Sequence, residues 1–583
     1  MERVFTFSDS LRARGYAAGP RAVALGRLTT FATACLLAAS SIAPTAVCAQ
    51  TRPDAGQTLE GIRPPPPPPT ANPGGALPPQ DNRPAMSAAD SKRILVRHWR
   101  ITGAHIFTVA QLDPLIREFR GQKLTLAELN GVAARITAYY RRHGYLLSRA
   151  YVPAQDIRDY TVEIAVIEGH LAEIVVTNTS PVAGSLITKH LEHLRSIGPV
   201  EGHTLERSLL LLSDVPGVDV RSTLMPGIAV GTSDLDVQVH GTSRVNGSVD
   251  ADNFGNSYTG EYRGGGTLNV NSPLNYGDLL TLRASTAGSG MSYGHVSWQV
   301  PVGGNGLKFG VADSELHYRL RGKFTSLDAN GSARVDTLWT AYQLIRSEYA
   351  NLALQLTYDG KHLDDKIDST ASDSHKTLGV FTLGLSGNQT DGFGGGGVST
   401  YGLNLVSGHL SLDPVTAAID AGEGGHHTEG RYEKLVLNYS RTQRLSEEVS
   451  LYASLIGQLS NKNLDTSETQ SLGGAYGVRA YPQDEGIGDD AALLSVEMRW
   501  KVPDVPDVQT IAFVDAGTVR VNHSPLPTDT SNRRSIAGEG FGVRWLRSSS
   551  FALNTYLAWR SGPQPISDID RRPRAWIQFA QYF

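Results

Sequence analysis

Along the last three-fifths of the chain, apolar and polar residues alternate with a period of two. Leu352, Leu354, Leu356 and Tyr358 fall on one face, and Ala353, Gln355, Thr357 and Asp359 on the other. Leu280, Leu282 and Ala284 oppose Thr281, Arg283 and Ser285 in the same way. Leu435, Leu437 and Tyr439 oppose Val436, Asn438 and Ser440. Successive side chains of a strand point to opposite faces, so each run predicts a β-strand with one apolar face. Gly, Asn, Asp and Ser punctuate these runs from residue 243 to Phe583. In a soluble sandwich the apolar face packs a core, whereas in an outer-membrane barrel it meets lipid and the polar face lines a lumen. Aromatic residues at strand ends and the terminal run Trp576–Phe583 favour the barrel. At ~20 residues per strand with its connection, roughly 16 antiparallel strands fit, an even number as such barrels require.

Upstream the period changes. Residues 92–169 predict a small β-α-α-β-β domain: a strand Ile94–Ile101, a helix Val109–Phe119 with Pro114 inside it, then a better-marked helix. Thr125-Leu126-Ala127-Glu128 is a capping box. Leu129, Val132, Ala133, Ile136 and Tyr140 follow at helical spacing up to His143-Gly144, where Gly can take the left-handed position. Strands Tyr145–Val152 and Tyr160–Glu168 complete the unit. Residues 170–242 repeat the theme, with strands Leu171–Thr177, Val218–Leu224 and Leu235–Val239 and helices Gly184–Leu194 and Thr204–Ser213. The predicted fold class is therefore α+β followed by an all-β transmembrane barrel from residue 243.

The N-terminal residues 1–49 read as a secretory signal: Arg12, Arg14, Arg21 and Arg27 precede an apolar run Leu28–Val47 that ends in Val47-Cys48-Ala49. Both cysteines, Cys35 and Cys48, would leave with it, so no disulfide or Cys-bound metal is expected. The segment carries a net +3 of the chain's −4, and its removal leaves −7, which argues against nucleic acid as a partner. No later apolar run approaches the ~18 residues of a membrane helix. Residues 50–91, with the hexaproline Pro64–Pro69, read as a stiff linker.

Among the barrel connections, Leu472–Asp490 stands apart: LGGAYGVRAYPQDEGIGDD. A solvent loop has little need of Arg479 between Val478 and Ala480-Tyr481. A loop folded into the barrel does, because a buried guanidinium must find a carboxylate. Asp515, in Phe513-Val514-Asp515-Ala516-Gly517, is the candidate partner. Two catalytic patterns are weak. Gly290-Met291-Ser292-Tyr293-Gly294 matches a nucleophile elbow but sits among β segments, where the required helix is missing. Gly425-His426-His427-Thr428-Glu429 is a loop that reads as a solvated turn before it reads as a metal site.

Taken together, these pieces resemble the transporters of two-partner secretion, relatives of the outer-membrane assembly proteins. The first small domain resembles their POTRA domain in Tyr140-x-x-x-Gly144-Tyr145-x-x-Ser148-x-Ala150-x-x-Pro153-x-Gln155 and Val166-Ile167-Glu168-Gly169. The second is similar in Leu205 through Pro216-Gly217-Val218 and Leu224-x-Pro226-Gly227. Asp252-Asn253-Phe254-Gly255, Thr259-Gly260, Arg263 and Tyr276-Gly277-Asp278 match the start of the barrel. Val478-Arg479-Ala480-Tyr481 resembles the family's loop, which usually carries Gly where Ala480 stands. Phe513-x-Asp515-x-Gly517 resembles its partner strand.

The resemblance covers residues 92–583. It implies two periplasmic POTRA domains, a 16-stranded barrel in the outer membrane of a Gram-negative cell, and export of one large secreted exoprotein of the TpsA type through its N-terminal secretion domain. Outer-membrane lipid and the barrel-assembly machinery are the other implied partners; no cofactor, metal, nucleic acid or enzymatic activity is implied. POTRA-like domains expose a strand edge beside a helix, where an unfolded substrate can add as a strand. That groove is placed between the helix carrying Arg135, Tyr139 and Arg142 and a strand carrying Leu146, Ser148, Ala150 and Val152. A helical plug from residues 50–63 stays open, since the segment is short and flanked by Pro. Competing readings are a passive porin, which leaves the POTRA-like domains without a purpose, and an outer-membrane assembly factor.

Overall fold

The computed structural model describes residues 53–62, 93–196, 198–526, 531–547 and 550–583. The signal segment and the hexaproline lie outside them. Sixteen antiparallel strands close into a barrel, each paired with its sequence neighbours from Val245–Asp252 to Arg574–Tyr582. The ring shuts where the last strand pairs with the first, Gln578 opposite Asp252 through Tyr582 opposite Ser248. Cross-strand partners carry the apolar band around the outside. Leu354, Leu385, Leu403 and Leu437 lie in one row, and Leu356, Leu383, Leu405 and Leu435 in the next. Leu354, Leu356, Leu383, Leu403, Leu405 and Leu437 are exposed, the pattern of a wall that faces lipid. Inward positions are charged and paired, as in Arg283 with Asp250 and Arg499 with Glu497.

The first small unit has the sheet His98–Thr102, Thr161–Ile167 and Arg149–Tyr151, covered by the helix Leu126–Arg142. Thr125 caps that helix by accepting from the Glu128 N–H while its own N–H donates to the Glu128 carboxylate at 2.7 Å. The expected helix Val109–Phe119 is instead one turn, Val109–Leu112, followed by 3-10 turns Asp113–Leu115 and Arg117–Phe119. Pro114 lacks an N–H, which breaks the hydrogen-bond ladder there. The expected strand Tyr145–Val152 shrinks to Arg149–Tyr151, because Tyr145–Ser148 turns, with the Ser148 N–H bonded to the Tyr145 carbonyl.

The second unit has the sheet His170–Asn178, Thr232–Gly241 and Val218–Pro226 under the helices Gly184–Ser196 and Gly202–Ser213. It is clamped to the turns on one rim of the barrel. Asp214 takes both forks of Arg346 at 2.7 and 2.8 Å, and Arg207 donates to the Gln343 carbonyl at 2.5 Å. His190 is buried at this junction, and burial pushes its imidazole below the usual histidine range.

Part of the expected linker is not linker. Ala55–Glu60 forms a helix inside the barrel, with Ala55 through Leu59 buried. Six residues cannot hold a helix alone; Asp54 caps this one at Gln57 N, and the barrel wall supplies the rest.

Candidate functional site

The wall opposite the folded-in connection is built from two neighbouring strands, Asp490–Lys501 and Val508–Arg520. Side chains two apart share a face, so Ser495 and Glu497 on one strand stand beside Asp515 and Phe513 on the other, their register partners. Together they make a polar square with one aromatic corner on the inner wall. The sequence supplies it by placing Ser495, Glu497 and Arg499 at alternate positions of a strand whose other face is Leu494, Val496, Met498 and Trp500.

Arg479 fills that square. Its backbone N–H and Nε donate to Asp515 Oδ2 at 3.1 and 2.8 Å, and Nη2 donates to Asp515 Oδ1 at 2.7 Å. Nη1 donates to Glu497 Oε1 at 2.6 Å, and Nη2 also reaches Ser495 Oγ at 3.0 Å. Ser495 donates in turn to Asp515, and Arg499 holds the other Glu497 oxygen at 2.8 Å. The guanidinium lies 3.5 Å over the Phe513 ring and 5.0 Å from that of Tyr556. Arg479, Glu497 and Asp515 are 4%, 4% and 0% exposed, so two cations and two anions neutralise each other out of water. Planar, bidentate recognition of this kind suits Arg and not Lys.

The loop is shaped to deliver that side chain. Val478 N–H bonds to the Leu472 carbonyl at 2.7 Å and Tyr481 N–H to the Val478 carbonyl, folding a tight knuckle with Arg479 at its tip. Gly477 packs so closely that a Cβ there would lie 2.1 Å from the Leu472 oxygen, and Gly474 sits at φ +105°. The Trp576 indole donates to the Arg479 carbonyl at 2.7 Å, and the Tyr481 hydroxyl to the Pro563 carbonyl. Glu485, fully buried, accepts from Ile566 N, from Ser567 N and Oγ, and from Arg534. Asp484 accepts from Asn256 at 2.9 Å. Ala480 does not adopt positive φ. Its methyl lies where a side chain on Gly538 would have to go: a Cβ there would fall 2.3 Å from that of Ala480. The Gly on the facing strand thus makes room for the Ala.

A second element occupies the same lumen. Asp54, at the start of the short helix, takes Lys376 Nζ at 3.0 Å and the Thr466 hydroxyl at 2.6 Å, while Ala55 N–H donates to Asp365 at 2.8 Å. Lys376 also pairs with Asp465 at 2.9 Å, and Glu468 holds Lys361 and Lys434 at 2.5 and 2.8 Å. Gly56 lies against Ser467, where a Cβ would meet the Ser467 nitrogen at 2.6 Å. Arg263, paired with Asp252, donates to the Gly61 carbonyl. One connection, residues 461–489, therefore grips the helix with its first half and inserts Arg479 with its second.

The residues expected to line a groove in the first unit do not come together as one. Arg135 pairs with Glu118 and stacks 4.5 Å over Phe119. Tyr139 packs on Phe107 and His143, and Arg142 ends its helix exposed. Leu146 lies in a turn against Gly202 of the second unit. Ser148 is buried, with no partner for its hydroxyl among the described residues. Val152 lies beyond the three-residue strand, packed against the unit's core. At Ala150, Thr137 of the helix both accepts from the backbone N–H at 2.9 Å and donates to the carbonyl at 3.3 Å. The edge is stitched to the helix. Gly290–Gly294 begins a barrel strand, with no helix after it, and His426 meets Asn522 at 3.2 Å.

Glu497, Ser495, Trp576, Glu485 and the helix at Asp54 were not singled out from the sequence. Glu497 had a signal, a charged residue on the polar face of an alternating run; Trp576 and Glu485 had none without the fold.

Residues 231–545 match the family described as haemolysin secretion/activation protein ShlB/FhaC/HecB, and residues 94–169 match the ShlB-type POTRA domain. The heme/hemopexin transporter protein HuxB of Haemophilus influenzae (strain 86-028NP) is 25% identical over 460 residues, 77% of this chain and 80% of its own length. The outer membrane transporter CdiB of Escherichia coli O6:K15:H31 is 25% identical over 430 residues, 71% of this chain and 70% of its own. The solved structure of CdiB from Escherichia coli shares the fold with a TM-score of 0.68 at 21% identity, covering 86% of this chain and 93% of that one. CdiB from Acinetobacter baumannii gives 0.58 at 18%, covering 87% and 94%. The chain belongs to the haemolysin secretion/activation (ShlB/FhaC/HecB) family, outer-membrane β-barrel transporters of two-partner secretion whose POTRA domains lie in the periplasm.

Proposed function

We propose that this transporter passes one large unfolded exoprotein from the periplasm through its barrel, and that Arg479 and Asp515 lock the folded-in loop in the position export requires. The observation that carries the reading is a lumen occupied by two elements, the loop at Arg479 and the helix at Asp54. A passive porin has no use for either. Residues 170–242 serve as a second POTRA-type unit beside the first, residues 1–49 are a cleaved signal, and the rest of residues 50–91 links the helix to the first unit. The free energy for movement comes from the exoprotein folding outside the cell, as membership of the family suggests.

The test is reconstitution of the full chain in liposomes. The exoprotein is the polypeptide that disappears from culture medium when this transporter is deleted. It is added unfolded to the POTRA side; directional, protease-protected accumulation inside is the expected result. Leakage of small solutes without polypeptide transfer would make the protein a porin.

A further inference from the structure

The inner wall of the barrel is uneven in charge. Five neighbouring strands, from Ala350–Ile367 to Val449–Ser460, set their inward residues side by side in register rows. Three rows near the rim that carries the second unit begin at Asn351, Ala353 and Gln355 and end at Ser454, Ile456 and Gln458. None of these fifteen positions holds Asp, Glu, Lys or Arg, whereas 19% of the whole chain does, a deficit that a polar lumen does not by itself require. The facing wall differs. Glu497, Arg499 and Arg544 project there beside the Phe513 and Tyr556 rings, and Arg283 pairs with Asp250.

The neutral strip is also shallow, and two of its amides are unspent. Gly384 and Gly402 form its floor: a Cβ on Gly384 would fall 2.8 Å from Asn404 Oδ1, and one on Gly402 3.8 Å from the Asn438 side chain. Each carboxamide thus lies across a glycine of the next strand. Among the described residues neither hydrogen-bonds another group, and each offers both donors and an acceptor. Gln355 and Ser386 are exposed, so water reaches this part of the lumen. The strip has a start and an end. Asn351 accepts from Arg346 and donates to Asn388, both at 2.9 Å, and the same Arg346 holds Asp214 of the second unit. Further along these strands stand Val380 and Tyr432, in the apolar cluster that takes in Ala55 and Leu59 of the short helix.

A long chain in transit carries side chains of both signs. A fixed wall charge holds the opposite sign and repels its own, more strongly in a narrow lumen than in bulk water, so each such encounter is a stop. A carboxamide pairs with any peptide group, whatever its side chain, and exchanges it readily for water. We propose that the exported polypeptide climbs this neutral strip, its peptide groups passing the Asn404 and Asn438 carboxamides, and that the strip takes extended segments of either charge. The path rests on the export reading.

The test uses the full chain in cells, with the exoprotein stalled in transit by a disulfide-closed domain fused behind it. A benzophenone amino acid replaces Asn404, Asn438 or, on the facing wall, Asn269, which bonds Asn246 and Thr281 inside the barrel. Each variant is normalised to barrel inserted in the outer membrane. Crosslinks to the exoprotein should be at least tenfold stronger from the Asn404 and Asn438 positions than from the Asn269 position. Asn404→Lys should slow export of an exoprotein bearing an acidic ten-residue segment at least tenfold relative to one bearing a basic segment, and Asn404→Asp should reverse the order. Asn404→Gln should export both at the wild-type rate, and Asn269→Lys should leave the two equal. Crosslinks as strong from the Asn269 position, or an Asn404→Lys that does not separate the two segments, would overturn the strip and leave export standing. No crosslink from any of the three positions would overturn export and the strip with it.

Discussion

The lumen is filled twice, and the two fillings are held by different physics. The loop is tied to the chain at both ends, and its tip sinks a guanidinium among two carboxylates, a hydroxyl and two rings. The helix is a short segment held through Asp54 by Lys376 and Thr466, through the Ala55 N–H by Asp365, through the Gly61 carbonyl by Arg263, and by small-residue contacts. Every polar partner of the loop tip is a barrel wall residue. The helix takes its partners from the wall at Asp365 and Lys376, and from Thr466 of the very connection that carries the loop. The loop tip thus carries the denser buried network, while the helix has one direct ion pair, Asp54 with Lys376, and a few hydrogen bonds.

The largest effect that could break this contrast is at the loop tip. Arg479→Ala leaves Asp515 and Glu497 buried beside only Arg499, and removing one partner of such a pair costs ~3–5 kcal/mol. Loop amides from Leu472 to Tyr481 should exchange faster by more than a hundredfold, with the barrel still inserted. Unchanged exchange would mean the network does not hold the loop. Next is Glu485→Ala, which strands the N–H groups of Ile566 and Ser567 and the Arg534 guanidinium. About 2–3 kcal/mol of local stability should go, read as proteolysis within 561–573; a resistant variant would show that connection to be self-supporting.

On the helix side, Lys376→Met should loosen residues 53–62 and raise the open fraction of single channels in planar bilayers at least tenfold, with Arg479 and its partners undisturbed. If the open fraction stays at the wild-type level, the helix is anchored elsewhere. The smallest change is Ala480→Gly. Ala480 does not adopt positive φ and its methyl faces Gly538, so the substitution should cost no more than about 1 kcal/mol, whereas Gly538→Ala should clash and free the loop. Equal, small effects from both would mean the loop does not press on that strand.

The barrel was legible in the sequence because a period of two, sustained from strand to strand, is what a two-faced wall demands, and rows such as Leu354–Leu385–Leu403–Leu437 repay that pattern across neighbouring strands. Asp515 could be named with Arg479 because both fall in short motifs. Glu497 stood in an unremarked run, and its importance comes from register, which sets it beside Phe513. The helix at Asp54 was hidden for a different reason: six residues before a proline run have no helical stability of their own, and the barrel wall that supplies it is more than three hundred residues away in sequence. The first unit's groove misled because Thr137 looks like any helix surface residue until it is seen capping Ala150.

The measurement that bears most directly on the lock is secretion of the exoprotein by Arg479→Ala, Asp515→Ala and the double variant, each normalised to barrel inserted in the outer membrane. All three should insert and all three should lose export to the same degree, because the pair acts as one unit. Export at the wild-type level by either single variant would contradict it.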